Sequence, residues 1–168
     1  IENSACLAFN GKELYLVRGK TRNPKTSNGD IFVSYFSYGE WSKPERLSDK
    51  VNTKYDEDGV FIHPDGKTLY FSSKGHNTMG GFDIFKTVKQ ENGTWSEPEN
   101  LGYPINSADD DLYFVLAANG KTGYYSSVKK EGKGLMDIYM IDFDPKKEIV
   151  EDTVPEIKVF LTLVKGVV

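Results

Sequence analysis

One segment of the chain recurs three times, and this recurrence restricts the fold more than any other feature. Asp30-Ile31-Phe32 returns as Asp83-Ile84-Phe85 and again as Asp137-Ile138-Tyr139, at intervals of 53 and 54 residues. Further landmarks share this period: Trp41-Ser42-Lys43-Pro44-Glu45 with Trp95-Ser96-Glu97-Pro98-Glu99, Leu47 with Leu101, Asn52 with Asn106, and Gly11-Lys12 with Gly66-Lys67 and Gly120-Lys121. Independent landmarks with one period indicate a repeat architecture.

The second copy predicts four short antiparallel strands. Pro64-Asp65-Gly66-Lys67 is a turn, because proline presets the backbone angle φ and glycine accepts the left-handed conformation. Pro98 ends the last strand, since proline cannot donate to a β-ladder. No window shows the periodicity of an amphipathic helix. The predicted strands are 60–63, 68–73, 82–88 and 94–96.

Four antiparallel strands in a repeat of this length are typical of a β-propeller blade. A β-sandwich does not require each four-strand unit to repeat its landmarks, and a solenoid coil has a shorter period. We therefore predict an all-β propeller segment over residues 1–144, with repeats at about 1–50, 51–106 and 107–144. Propellers have at least four blades, so we expect the missing blades to lie outside this sequence, in a longer protein.

Composition excludes several classes of function. The net charge is −4, so the chain has no basic field that would attract nucleic acid or an anionic membrane surface. No run approaches the roughly 20 apolar residues of a membrane-spanning helix. Cys6 is the only cysteine, which rules out an intrachain disulfide and a cysteine-based zinc site. We predict neither nucleic-acid binding nor direct membrane insertion.

The sequence also lacks the motifs of common enzymes. It has no Gly-x-Ser-x-Gly elbow, no phosphate-binding loop and no dinucleotide fingerprint. His63 and His76 are the only histidines, and no glutamate stands at a metal-ligand spacing from them. We predict a chain that is not an enzyme and that needs no cofactor.

Asp109-Asp110-Asp111 is the one carboxylate cluster that could hold a metal ion. Calcium takes six to eight oxygen ligands, and three aspartates could supply several of them. The EF-hand spacing is absent, however, and Asp56-Glu57-Asp58 shows that an acid-rich link is part of the repeat. We interpret the cluster as structural, with a calcium site as the weaker alternative.

Other recurring residues are also interpreted as structural. The aspartates that precede the Ile-Phe/Tyr strands should accept N–H groups of a neighbouring turn. The two tryptophans should be buried between blades in equivalent environments; the alternative is a pair of sugar-stacking platforms. The glycines occupy turns. These residues are Asp30, Asp83, Asp137, Trp41, Trp95, Gly66 and Gly120.

Two stretches of the second copy carry a resemblance to a known family. Residues 64–73, Pro-Asp-Gly-Lys-Thr-Leu-Tyr-Phe-Ser-Ser, and residues 80–85, Gly-Gly-Phe-Asp-Ile-Phe, resemble the TolB-like β-propeller repeat, a relative of the WD-type repeats. Residues 92–106 are similar to the version found in cell-envelope proteins of Bacteroidetes. The resemblance covers about residues 5–142, although the first copy has Asn10-Gly11 in place of Pro-Asp-Gly and the third lacks the Trp-Ser-x-Pro segment.

This resemblance implies a role. Such propellers typically have six blades and are joined to tetratricopeptide repeats and to an OmpA-like peptidoglycan-binding domain; some belong to the type IX secretion machinery. The chain would then be a scaffolding module of a periplasmic, outer-membrane-associated protein, with a protein partner in the cell envelope. The alternatives are a propeller that binds glycan or peptidoglycan fragments, and a propeller lyase or peptidase accessory domain. Propeller lyases need a histidine-rich metal centre, whereas this chain has only two histidines, which disfavours the lyase alternative.

The C-terminal tail carries a shorter resemblance. Residues 155–166 are similar to the opening strand of a carboxypeptidase-regulatory-like β-sandwich, so residues 145–168 are predicted to be a linker and the first strand of a following domain. Residues 157–164 are too apolar to remain in water. We expect this strand either to add to an exposed sheet edge or to pack in the next domain.

Overall fold

The strands form three separate antiparallel sheets that follow one another along the chain. A computed structural model describes residues 2–19, 28–129, 132, 134–143 and the strand at 160–163. The first sheet contains β1 Glu2–Leu7, β2 Glu13–Arg18, β3 Asp30–Ser37, β4 Glu40–Trp41 and β5 Glu45–Arg46. The second contains β6 Glu57–Ile62, β7 Thr68–Ser73, β8 Asp83–Val88 and β9 Glu99–Asn100. The third contains β10 Asp111–Leu116, β11 Thr122–Ser127, β12 Asp137–Asp142 and β13 Phe160–Leu163.

Each sheet is one blade, and its strands lie in chain order from the inner to the outer strand. The described residues contain no α-helix, and hence none that is long and apolar enough to cross a membrane. The predicted all-β propeller fold is confirmed. The three Asp-Ile-Phe/Tyr segments begin β3, β8 and β12, which are the third strands of their blades.

The inner strands carry the same irregularity at the same position. The pairing of β6 with β7 shifts between Asp58 and Phe61, and that of β10 with β11 shifts between Leu112 and Val115. Gly59 and Tyr113 adopt left-handed φ angles of 58° there. A Cβ on Gly59 would lie 2.9 Å from the main-chain nitrogen of Tyr113. Glycine therefore permits the inner strands of the second and third blades to approach each other.

Two apolar cores hold the blades together, one in each space between neighbouring blades. In the first core, the Phe71 and Phe85 rings stack with centroids 5.9 Å apart. In the second, Tyr70 and Phe114 lie 4.8 Å apart. The first core includes Tyr15, Val17, Ile31, Leu69, Phe71, Phe85 and Trp95, and the second includes Tyr70, Ile84, Phe114, Tyr125, Tyr139 and Ile141. Burial of apolar surface between blades is the main stabilising contribution.

The outer strand of the second blade differs from the prediction of a strand at 94–96. Trp95 forms a single bridge with Lys89, and the paired strand β9 begins only at Glu99. Because Pro98 lacks an N–H group, it divides the outer strand into two short pieces rather than ending it. Pro44 divides the outer strand of the first blade in the same way, between β4 and β5.

The third blade takes its outer strand from the C-terminal tail. β13 pairs antiparallel with β12, with Leu161 opposite Ile141. Of the two arrangements expected for the apolar tail, the structure shows addition to a sheet edge. Residues 144–159 and 164–168 lie outside the described residues, and the assignment of 145–168 to a following domain stays a prediction.

Candidate functional site

The acidic links between blades connect each blade to its predecessor through main-chain groups. At the first junction, Gly29 donates its N–H to Oδ1 of Asp56 at 3.0 Å, and the N–H of Glu57 donates to the carbonyl of Gly29 at 2.8 Å. A Cβ at Gly29 would lie 2.6 Å from the Glu57 carbonyl oxygen, so the junction requires glycine. We call this pair of hydrogen bonds the acidic clamp.

The acidic clamp recurs at the second junction. Phe82 donates its N–H to Oδ1 of Asp110 at 2.9 Å, and Asp111 donates its N–H to the Phe82 carbonyl at 2.7 Å. Gly29 and Phe82 each precede the repeat aspartate of their blade. The acid-rich links at 56–58 and 109–111 therefore have an architectural role in the structure.

The second acid of each clamp is fully buried. Oε2 of Glu57 accepts the N–H of Thr53 at 3.1 Å, and Oε1 accepts hydroxyl hydrogen bonds from Thr53 and Ser73 at 2.7 and 2.9 Å. Asp111 accepts the N–H and the hydroxyl of Ser107 at 2.6 and 3.0 Å. Burial raises the pKa of Glu57 to about 7 and also raises the pKa of Asp111.

The three aspartates at 109–111 do not converge on one point. Asp110 binds the Phe82 N–H, Asp111 binds Ser107, and the Asp109 main-chain carbonyl accepts the Gly81 N–H at 3.3 Å. Among the described residues there is no group of three His, Cys, Asp or Glu side chains that could hold a metal ion. The calcium alternative therefore gains no geometric support from this part of the chain.

The repeat aspartates share a position but not all their partners. Asp83 is fully buried and accepts the N–H of Met79 at 2.7 Å and the amide of Asn100 at 2.8 Å. Asp137 accepts the N–H of Gly134 at 3.2 Å. Both are the turn contacts expected from the sequence. Asp30 instead forms an ion pair with Arg46 at 3.0 Å, because arginine stands where the second blade has Asn100.

The two tryptophans are not equivalent, which corrects the sequence-based prediction of equal burial. Trp95 is 5% exposed and meets Tyr15 of the first blade edge to face, with ring centroids 6.2 Å apart. Trp41 is 43% exposed and contacts Phe36 of its own blade at 5.2 Å. Trp95 faces the preceding blade, whereas no blade covers Trp41 among the described residues. Burial at this position depends on the neighbouring blade rather than on the local sequence.

The turn glycines and the histidines have local roles. Gly66 and Gly120 both have φ of 69°, the left-handed angle that the turns require. His63 lies 3.2 Å from Oδ2 of Asp65 in the first of these hairpins. His76 lies in the β7–β8 connection, where Nε2 is 3.1 Å from the Val51 carbonyl. The structure does not bring the two histidines into one group.

Asn52 and Asn106 were landmarks of the repeat, but the sequence did not reveal what they do. Oδ1 of Asn52 accepts the N–H of Ile31 at 2.7 Å, and its amide donates to the carbonyls of Ile31 and Leu47 at 2.9 and 3.0 Å. Asn106 makes the corresponding pair of bonds with Ile84 at 2.8 and 2.9 Å. Each buried side chain thus pairs the isoleucine N–H, and its amide adds a second donor to an isoleucine carbonyl that also accepts the N–H of Leu47 or Leu101. Recurrence at the period of 54 residues was the signal available for this role.

Several exposed apolar side chains lie at the edge that carries the interblade links. In an antiparallel four-stranded blade, the link into the inner strand and the connection between the second and third strands lie at the same edge. Hydrogen bonds join these two segments, as between the Lys74 N–H and the Asp56 carbonyl at 2.9 Å. We call this the linker edge. Its exposed large side chains include Tyr55, Met79, Tyr103 and Leu135, of which the last two are 82% and 87% exposed, and Met136 beside Leu135 is 41% exposed.

The buried carboxylates give a testable dependence of stability on pH. A carboxyl group whose pKa is raised by folding stabilises the folded state fully below its unfolded value of 4.5, and this contribution is lost as pH rises through about 7. For Glu57 we expect a loss of up to about 3 kcal/mol between pH 4.5 and 8. The free energy of unfolding, measured with urea at several pH values in this range, should depend on pH less steeply for Glu57→Gln than for the wild type.

Two further expectations help to interpret this pH experiment. Asp111 contributes in the same direction, so Glu57→Gln should flatten the curve without making it level. Glu91→Gln changes an exposed carboxyl and should reproduce the wild-type curve. Parallel curves for Glu57→Gln and wild type would mean that Glu57 is ionised in the folded protein at pH 5.

Comparison with known proteins supports the fold. The chain is similar to TolB from Acinetobacter baumannii, with a TM-score of 0.53 and 16% identity over 82% of this chain and 29% of TolB. It is also similar to Kuenenia stuttgartiensis hydrazine synthase, with a TM-score of 0.50 and 14% identity over 85% of this chain and 40% of that chain. No family profile matches the sequence, and no curated protein is detectably similar to it. The chain thus spans less than half of either structure, and identities this low establish a propeller-type fold alone.

Proposed function

We propose that this chain is a non-catalytic protein-interaction module of a periplasmic, outer-membrane-associated protein. The observation that carries the proposal is the linker edge, where Tyr55, Met79, Tyr103 and Leu135 expose large side chains from successive blades. Tyrosine and methionine are enriched at protein interfaces. The acidic residues Asp56, Glu57, Asp110 and Asp111 are engaged at the junctions between blades.

The cellular setting of the proposal rests on the sequence. The repeat of residues 92–106 resembles that of Bacteroidetes envelope proteins with tetratricopeptide and OmpA-like domains. A place in type IX secretion or in anchoring to peptidoglycan belongs to the same proposal. The likeness to TolB supports the propeller fold on which such a module would be built.

Photo-crosslinking in cells tests the interaction surface. A photoreactive residue at Tyr103 or Leu135 should give a covalent adduct with one envelope protein. The matched controls are Phe9 and Tyr38, which are 85% and 105% exposed but lie at the opposite edge, in the β1–β2 and β3–β4 hairpins. Adducts from the control positions alone, or from none of the four, would contradict a protein-binding linker edge.

A glycan-binding function is the second candidate, and one observation favours it. Trp41 is partly exposed beside Phe36, an aromatic pair on which a sugar ring could stack. A Trp95→Phe variant would leave Trp41 as the sole tryptophan. Saturable quenching of its fluorescence by soluble peptidoglycan fragments, with no adduct at the linker edge, would favour this alternative.

A further inference from the structure

The inner strands of the three blades carry three different residues at one equivalent position. This position lies in the irregular part of each pairing between the first and second strands of a blade. The residues are Ser4, Gly59 and Tyr113, at intervals of 55 and 54 residues. The Ser4 hydroxyl and the Gly59 N–H bind the same oxygen of Asp58, and a Cβ on Gly59 would lie 2.9 Å from the Tyr113 nitrogen. Residues from three successive blades therefore meet beside Asp58.

Tyr113 adopts a backbone conformation that favours glycine. Its φ is 58°, the value that Gly59 also has, although it lies within strand β10 and its side chain is 49% exposed. The left-handed conformation is unfavourable for a residue with a Cβ, and such outliers concentrate at functional sites. Tyr38 has a φ of 51°, but it lies in the β3–β4 hairpin, whose two-residue turn calls for this angle. No turn explains the tyrosine at position 113.

Asp58 supplies a carboxylate at this place, and the repeat does not require it. The equivalent residues of the other blades are Asn3 and Leu112. Oδ1 accepts the Ser4 hydroxyl at 3.2 Å and the Gly59 N–H at 2.8 Å, which hold the carboxylate in position. Asp58 is partly buried, and its Oδ2 makes no hydrogen bond or ion pair with any residue that the structure describes. A fixed carboxylate without a cation is suited to bind one.

The carboxylate and the tyrosine act on each other. Burial and the charge of Asp58 both raise the pKa of Tyr113. The exposed ring and the open carboxylate oxygen therefore form one local environment. A cation bound there could contact the carboxylate and the aromatic ring together.

We propose that Asp58 and Tyr113 bind an arginine side chain of the protein partner. The guanidinium group is planar, so it can donate to Oδ2 of Asp58 while it stacks on the exposed Tyr113 ring. Both residues stand near the start of their inner strands, which begin at the linker edge. This inference rests on the proposed function as a protein-interaction module and specifies the chemistry of the partner.

The described arginines of the chain itself are engaged elsewhere. Arg18 pairs with Glu2 at 2.8 Å, and Arg46 pairs with Asp30 at 3.0 Å. Neither of them supplies a guanidinium group to Asp58. The net charge of −4 also favours the approach of a cationic group from outside.

Titration of N-acetyl-arginine amide into the isotope-labelled 168-residue chain tests the site by NMR. The amide signals of Asp58, Gly59 and Tyr113 should shift to saturation. N-acetyl-citrulline amide has nearly the same shape without the charge and should bind about fivefold more weakly. N-acetyl-lysine amide should bind about twofold more weakly, because an ammonium group cannot stack on the ring as a plane.

Variants assign the binding to the two side chains. Asp58→Asn retains the acceptor for Ser4 and Gly59 but should weaken arginine binding about tenfold, because the charge is lost. Tyr113→Gly introduces the residue that the second blade has at this position and should weaken binding about threefold, whereas Tyr113→Phe keeps the ring and should bind as the wild type.

Two matched controls should both bind arginine as the wild type does. Asp109→Asn removes another exposed carboxylate, and Tyr38→Gly removes another exposed tyrosine with a left-handed φ. An equal loss of binding from Asp109→Asn would overturn the proposal, since it would show attraction to negative charge in general. If Tyr113→Gly does not fold, Tyr113→Asn provides the second test, because asparagine also tolerates the left-handed conformation.

Other outcomes would also overturn the proposal. These are the absence of saturable shifts, equal affinity for arginine and citrulline, binding at least as tight for lysine as for arginine, and binding unchanged by Asp58→Asn or by loss of the Tyr113 ring. The two proposals fail separately. A crosslinked adduct at Tyr103 without arginine binding leaves the interaction module standing and removes the arginine site, and arginine binding without an adduct has the reverse meaning.

Discussion

Replacing Trp95 by alanine should lower the free energy of unfolding by about 3–5 kcal/mol, the usual cost of removing a buried tryptophan side chain. Trp95 is 5% exposed and packs against Tyr15 across the junction of the first two blades. Its loss would open a cavity in the first core and remove an edge-to-face ring contact. Urea unfolding, monitored by circular dichroism, measures this loss in the free energy of unfolding.

Trp41→Ala is the matched control for this experiment. Trp41 occupies the same position in the repeat but is 43% exposed, and its ring contact is with Phe36 of its own blade. Its replacement should cost less than half as much as that of Trp95. Equal losses for the two variants would show that both tryptophans are buried in solution, as the sequence alone had predicted.

The sequence was sufficient to predict the structural features that depend on residues within one blade. The turns at Gly66 and Gly120 and the strands that begin at Asp30, Asp83 and Asp137 depend on residues close in the chain. Local turn chemistry and alternating apolar residues are sufficient to predict such features. The recurrence then implied that each blade adopts the same topology.

The sequence did not predict the features that depend on contacts between neighbouring blades. Glu57 stands in an acid-rich link whose composition does not predict burial, yet it is 1% exposed. Its main-chain N–H donates to the carbonyl of Gly29 in the preceding blade, a contact that forms only after folding. The exposure of Trp41 depends on a neighbouring blade in the same way. A repeat specifies its own strands, but the burial of each face depends on the blade beside it.

Asn52→Asp should be strongly destabilising although the change is nearly isosteric, at about 2–6 kcal/mol near neutral pH, because donors are lost and a charge is buried. Asn52 is 1% exposed, and its amide donates to the carbonyls of Ile31 and Leu47. A carboxylate has the same shape but cannot donate, so each carbonyl loses one of its two donors; Ile31 keeps the Leu47 N–H at 2.9 Å, and Leu47 keeps the Arg46 guanidinium at 3.4 Å. The buried charge would also face two carbonyl oxygens, which adds to the cost.

Asn92→Asp supplies the control, because Asn92 is exposed and its side chain only accepts hydrogen bonds, from the N–H and hydroxyl of Thr94 at 3.0 and 2.7 Å. Aspartate preserves both of these bonds, so the free energy of unfolding should change by less than about 0.5 kcal/mol. Lowering the pH should partly rescue Asn52→Asp, since a protonated carboxyl can donate one hydrogen bond and carries no charge. If Asn52→Asp unfolds within 1 kcal/mol of Asn92→Asp at pH 7, the buried asparagine does not hold the first blade to its link.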